Sequence, residues 1–410
     1  MAIVLIATLD TKGEEIAFVR SNLEQRGHKT VLIDAGSLGT PSVAPDISRE
    51  RVFEAAGTTL EAVRERGDRG HAVAMAAAGV AKLVPTLEAE GVFALGGSAG
   101  TTIGTSAMRA LELGTPKAMV STLASGQTRP YLGDSDIALF PAVADLAGLN
   151  RFTRRILTNA ANALAGMVEG GRERAFDSDG ASPRPLIAAT MFGVTTPCVQ
   201  RAREVLESAG YEVVVFHATG TGGQAMERLM RQGQVAGVLD LTTTEIADEL
   251  VGGVLSAGPA RLAAGVALRL PQVVSVGAVD MVNFGPVEAV PERFRGRKLH
   301  VHNPTVTLMR TTPDENRAIG AFIARALAPA VVPTVALVPR GGVSAIDAPG
   351  KPFHDPEADQ ALFEALEEGL RGLSLVRLEF RDEHINDPAF AEAAANTLLG
   401  LLEWTTASRR

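Results

Sequence analysis

Short apolar runs alternate along this chain with longer segments in which apolar positions recur every third or fourth residue. The first run, Ile3-Val4-Leu5-Ile6-Ala7-Thr8, has no polar residue at alternate positions, so it reads as a strand covered on both faces. The same pattern predicts strands at 30–34, 92–95, 117–122, 137–140, 186–190, 212–216, 237–241, 272–276, 334–338 and 375–380, with helices between them. Strand and helix in regular alternation is the signature of βαβ units around parallel sheets.

Two stretches repeat this pattern in step. Leu5-Ile6-Ala7-Thr8-Leu9-Asp10, a helix, and then Gly27 to Asp34 match Ile187-Ala188-Ala189-Thr190-Met191-Phe192, a helix, and then Gly210 to His217. Asp34 and His217 stand at equivalent strand ends. The expected fold class is therefore α/β, with two Rossmann-like domains, each a mostly parallel sheet flanked by helices. The expected division is a nucleotide-binding domain over 1–170, a polar Gly- and Arg-rich linker over 171–184 and a second domain over 185–410.

Composition narrows the class further. The net charge of −8 gives no basic surplus with which to grip a phosphate backbone, so nucleic acid is not an expected partner. The one cysteine, Cys198, excludes an internal disulfide. The N-terminal run has no basic leader, and no apolar stretch of about 18 residues is free of charges or helix breakers. No membrane segment and a cytoplasmic location are the expectations.

In an open parallel sheet, ligands sit beyond the carboxyl ends of the strands, so the loops there carry the candidate chemistry. Gly96-Gly97-Ser98-Ala99-Gly100-Thr101 precedes a helix: its glycines let backbone N–H groups close on an anion, and the helix N-terminus adds partial positive charge. It lacks the Lys of a Walker motif and is not a dinucleotide fingerprint. A tight packing turn is the alternative reading. Thr8, Asp10, Thr11 and Lys12 end the first strand, and Thr122, Ser125, Gly126 and Gln127 follow the fourth, so these three loops are expected to converge. Lys12 can pair with phosphate and Asp10 can hold Mg²⁺, unless Asp10 merely caps a helix.

The second domain offers His217, Asp240, Glu245 and Asp280 at strand ends, and Lys351 and His354 in a long loop over 340–355. An acid and a base in one cleft suit proton transfer, so these six residues are the catalytic candidates, expected to face a cleft shared with the first domain. The alternative has Thr242 and Glu245 forming a capping box and His217 filling the core. His300 and His302 lack a third ligand nearby, which favours a structural pair over zinc.

These runs together resemble one family. Asp10-Thr11-Lys12, Gly96-Gly97-Ser98, Ser125-Gly126-Gln127-Thr128, Thr190 to Val199, Val215 to Gly220, Asp280 to Pro286, Gly342 to Lys351 and His384-Ile385-Asn386-Asp387 are similar to the N-terminal, ATP-binding region of the tomato mosaic virus resistance protein family and its bacterial and fungal relatives. Ala99 replaces a glycine found in some relatives. The resemblance implies ATP and Mg²⁺ in the first domain, a homodimer and, in the plant members, binding of viral replication proteins. Relatives often continue into a TIM-barrel domain. Three functions are then open: an ATP-binding enzyme acting on an unknown small molecule, a nucleotide-regulated protein-binding module, or a binder of a phosphorylated metabolite.

Overall fold

The computed structural model describes residues 1–173 and 184–408, which fall into two compact units, Met1–Ser182 and Pro183–Arg410. Most of the expected linker lies outside the described residues; its first residues, 171–173, instead complete a long helix.

Unit 1 runs β1 (Ala2–Ala7), α1 (Leu9–Gln25), β2 (Thr30–Asp34), α2 (Arg49–Ala56), α3 (Leu60–Arg66), α4 (Arg69–Leu83), β3 (Ala89–Gly96), α5 (Ser98–Arg109), β4 (Lys117–Ser121), α6 (Arg129–Leu132), β5 (Ala138–Pro141) and α7 (Arg151–Glu173). Its sheet is all parallel, in the order β2-β1-β3-β4-β5. Because successive side chains on a strand point to opposite faces, Ile3, Leu5 and Ala7 pack with Ile16, Leu157 and Leu164 of α1 and α7. Val4 and Ile6 pack on the other face with Val52, Val80 and Ile103 of α2, α4 and α5. Together with the turn that follows it, α4 (Arg69–Leu87) is long and apolar enough by length and composition to cross a membrane, although it carries Lys82 and the helix breakers Gly79 and Pro85. Here it packs against α2 and α5, its alanines letting the backbones approach: a Cβ on Gly79 would meet the Val52 carbonyl oxygen at 2.0 Å.

Unit 2 runs β6 (Leu186–Met191), α8 (Thr196–Ser208), β7 (Glu212–His217), α9 (Thr221–Arg231), β8 (Gly237–Thr242), α10 (Thr244–Val251), α11 (Ala263–Ala267), β9 (Gln272–Gly277), β10 (Met281–Phe284), β11 (Leu299–Asn303), β12 (Val306–Arg310), α12 (Pro313–Leu327), β13 (Thr334–Pro339), α13 (Pro356–Leu370), β14 (Val376–Arg381) and α14 (Pro388–Ser408). Its parallel sheet, read from β7, is β7-β6-β8-β9-β13-β14. That is the order of unit 1 with one strand added, as the sequence repeat implies. In both units the order reverses between the first and third strands, the switch point of a doubly wound sheet.

A second sheet, antiparallel β10-β12-β11, was not expected. The sequence pattern predicts no strand between 276 and 334, but Met281 to Phe284 pair residue by residue with Arg310 to Thr307. Local signals hold where they are strong: Thr312 and Glu315 form a reciprocal capping box at α12, with Pro313 in its first turn.

Candidate functional site

At the unit 1 switch point the chain leaves β1 at Thr8 and β3 at Gly96, and the two loops bound a cavity of about 350 Å³. Thr8, Asp10, Thr11, Lys12, Gly96, Gly97, Ser98, Ala99 and Gly100 all line it. The β3 loop is tight because α5 starts against the strand end: a Cβ on Gly96 would stand 2.8 Å from the Gly100 Cα, and one on Gly100 would stand 2.9 Å from the Leu95 carbonyl oxygen. Gly97 caps α5 with no side chain, and Thr101 supplies the first amide bonded back, to the Gly97 oxygen. The N–H groups of Ser98, Ala99 and Gly100 are thus the free donors of a helix start.

Other parts of the lining lie beyond the reach of sequence reasoning. Ala72, Val73 and Ala76 of α4, with Leu38 and Ile103, make an apolar wall. Arg69, exposed at the start of α4, adds a second cation, and Asp145 of the loop after β5 adds a carboxylate. No motif marks these residues; packing alone brings them there. The β5 loop that carries Asp145 also contains Val143, whose φ of 62° is costly for a β-branched residue, by about 1–3 kcal/mol. Two anchors hold that loop: Lys12 Nζ donates to the Leu146 oxygen, and Glu15 accepts from the Gly148 amide at 2.7 Å.

Asp10 does not cap α1; it lies in the helix's first turn. One of its oxygens accepts from the Leu38 amide at 3.0 Å and lies 3.9 Å from Arg49. Arg49 in turn bonds Asp34 at 2.6 Å, and the other Asp34 oxygen takes the amides of Leu9 and Gly36. Asp34 is fully buried. An acid at this strand end binds the ribose in dinucleotide folds; here it is spent on the protein, which argues against a nicotinamide dinucleotide.

Five expected members of the site stand elsewhere. The Thr101 hydroxyl is buried between the Gly97 oxygen, 2.8 Å away, and Ser121, 2.6 Å away, so it serves the α5 start rather than the cavity. Thr122, Ser125, Gly126 and Gln127 line a separate hollow of about 270 Å³ beside it.

In unit 2 the six catalytic candidates do not share one open pocket among the described residues. Asp240 and Glu245 are buried on one guanidinium, with Arg261 bonding Asp240 at 2.6 and 2.8 Å and Glu245 at 2.7 Å. Glu245 also accepts the Gly220 and Gly223 amides at the start of α9, so it caps that helix rather than joining Thr242 in a capping box. At this switch point Thr190, Thr195 and Thr242 bond one another and Asp240. His217 is exposed and packs at a tilt against Phe192, ring centroids 5.3 Å apart, so it neither fills the core nor joins the buried acids.

Asp280 belongs to a second buried group. Ser344 donates to it at 2.8 Å, and Arg310 bonds Asp359 at 2.6 Å and lies 3.8 Å from Asp347. Burial, and then the neighbouring Asp347, push Asp280 up to about 8 and Asp359 up to about 7. The 340–355 loop docks through the buried Phe353, as its apolar residues suggest, with His354 half-buried and Lys351 exposed. His300 packs edge-on against Phe353, and among the described residues no group of three or more His, Cys, Asp or Glu is placed to hold a metal.

The fold and the open switch point define a duplicated, doubly wound α/β protein with a cavity at the switch point of its first unit. Its N-terminal unit matches the model of the Uncharacterised protein family (UPF0261) N-terminal domain over residues 1–173, and its C-terminal unit matches that of the C-terminal domain over 184–402. The chain belongs to the UPF0261 family. A UPF0261 protein of Clostridium tetani is 49% identical over 98% of this chain and 99% of that protein. The ToMV susceptible protein tm-1(GCR26) of Solanum lycopersicum is 41% identical over 96% of this chain, and the ToMV resistance protein Tm-1(GCR237) is 48% identical over 75% of it. The matches cover 55% and 41% of those tomato proteins, so this chain corresponds to about half of each.

Proposed function

We propose that unit 1 binds a nucleoside triphosphate, ATP, with Mg²⁺, at the cavity between the β1 and β3 loops. The observation that carries this reading is a floor of unpaired α5 amides at the switch point, flanked by Lys12 and Arg69 and facing an apolar wall from α4. Phosphates suit the amides and cations; a flat base suits the Ala72, Val73 and Ala76 wall. The Asp145 carboxylate and the second oxygen of Asp10 are the groups available to a hydrated Mg²⁺, which needs only one or two carboxylates beside the phosphates.

A nucleotide-regulated module that binds another protein is the second reading. The burial of Asp240, Glu245 and Asp280 favours it, because it leaves unit 2 without an exposed acid–base pair from the expected set. The name of the tomato relative, a virus resistance protein, points the same way.

Titration of the full chain with Mg-ATP and with a non-hydrolysable analogue, read by calorimetry and thermal shift, tests both readings. Binding raises apparent stability by about 2.7 kcal/mol at a hundredfold excess over Kd. Gly97→Val puts a branched side chain on the glycine that caps α5 and lines the cavity, and is expected to abolish binding; its Cβ would meet nothing nearer than the Thr122 hydroxyl at 3.7 Å, so folding should persist. Unchanged affinity in Gly97→Val refutes the site. Stabilisation without phosphate release favours the regulated module over an enzyme.

A further inference from the structure

The hollow beside the nucleotide cavity differs from it in chemistry. Its lining consists of Thr122, Leu123, Ser125, Gly126, Gln127 and Tyr131, none of them charged. Hydroxyls, a carboxamide and a phenol can each donate and accept, which matches a ligand whose own groups do both. An anion would find no cation in this lining. Among the described residues no hydrogen bond engages the side chains of Thr122, Ser125, Gln127 or Tyr131, whereas the threonines at the unit 2 switch point are bonded to one another and to Asp240.

The hollow is also built rather than a chance dent. Ser121, itself fixed by Thr101, accepts the Leu123 amide at 3.0 Å, and the Gly126 amide closes a turn on the Leu123 oxygen at 3.1 Å. The far side is held by Arg109 of α5, which donates to the carbonyls of Pro130 and Tyr131 at 2.9 and 2.7 Å. The near wall is the β3 loop: the Thr122 amide donates to the Gly96 oxygen at 3.3 Å, and a Cβ on Gly97 would stand 3.7 Å from the Thr122 hydroxyl. One backbone segment therefore separates the hollow from the α5 amides.

We propose that this hollow binds an uncharged, polyhydroxylated small molecule, a sugar or cyclitol, with its hydroxyls on Thr122, Ser125 and Gln127 and a C–H face on the Tyr131 ring. An aromatic ring offers an apolar face for such contact beside its polar tip, and the volume lies near the lower end of small-molecule sites. The binding assignment rests on this hollow alone; only the role of the ligand as a companion to the nucleotide rests on the function proposed above.

Saturation-transfer NMR on the full chain with D-glucose, ribitol and myo-inositol, each against its phosphate ester or glucose 6-phosphate, tests the assignment. Transfer to at least one neutral probe, weaker transfer to the phosphorylated one, and a loss of about tenfold in affinity in Ser125→Ala and Gln127→Ala are expected, a tenfold change being about 1.4 kcal/mol. Tyr131→Phe should retain binding and Tyr131→Ala should lose it. No transfer from any neutral probe, tighter binding of the phosphate ester, or transfer unchanged in the variants would overturn the assignment. Nucleotide affinity is measured on the same variants without sugar. A tenfold fall there would mean the hollow belongs to the nucleotide, again overturning the assignment, while normal nucleotide binding with no sugar binding leaves the proposed function standing.

Discussion

Replacing Arg261 with Met is the sharpest test of how unit 2 is held together. Arg261 is 3% exposed and lies among three carboxylates: Asp240, Glu245 and, at 3.7 Å, Glu227. Burial alone would lower its pKa, but Asp240 and Glu245 outweigh that and raise it, so it stays charged at any working pH. Methionine fills a similar volume but leaves buried acids without their cation, a change that costs about 3–5 kcal/mol in other buried pairs. Against a typical stability of about 5–15 kcal/mol, that loss should be plain in urea unfolding. Trp404, the sole tryptophan, lies in α14 and reports on unit 2. Arg261→Lys should lie between, since a single ammonium cannot bridge both acids as a planar fork does. An unfolding free energy within about 1 kcal/mol of wild type at pH 7 would refute the assignment of this cluster as a structural ion group.

Three further outcomes follow from the same geometry. Asp280 is raised to about 8 by burial and by Asp347, with Arg310, Asp359 and Ser344 as its other polar neighbours, so its contribution is whole below the usual carboxylate range and is lost as pH rises through 8. Asp280→Asn should remove about 2 kcal/mol of the wild-type stability loss between pH 6 and 8, one proton over two pH units, read by urea unfolding at each pH. Thr101→Val should cost about 1 kcal/mol of stability, the net worth of a hydrogen bond, while leaving nucleotide affinity within twofold by calorimetry, because its hydroxyl faces Ser121 and Gly97 rather than the cavity. Burial pushes the Cys198 thiol up to about 12, so it should resist a thiol reagent such as Ellman's until urea unfolds unit 2.

What the sequence showed and what it hid divide along a physical line. Strands buried on both faces announce themselves as unbroken apolar runs, which is why β1, β6, β8 and β9 could be read to within a residue or two. The short hairpin strands β10, β11 and β12 alternate weakly and become strands only through pairing with one another. Glycine loops at strand ends likewise mark where a backbone comes close to something, but they do not say to what. In unit 1 the amides after Gly97 are left to the cavity. In unit 2 the amides of Gly220 and Gly223, at the strand-to-helix turn after the edge strand β7, are already taken by Glu245. A sequence shows an acid three residues after a threonine and suggests a cap or a catalyst; what decides is Arg261, 16 residues from Glu245 and 21 from Asp240, which only the fold brings beneath them. The two sheets share a strand order, yet in unit 2 the loops at and beside the switch point are bonded internally, Glu245 to the α9 start and Thr190, Thr195 and Thr242 to one another and Asp240, whereas the start of α5 lines a cavity. That difference, more than any motif, is why ligand binding is to be sought in unit 1.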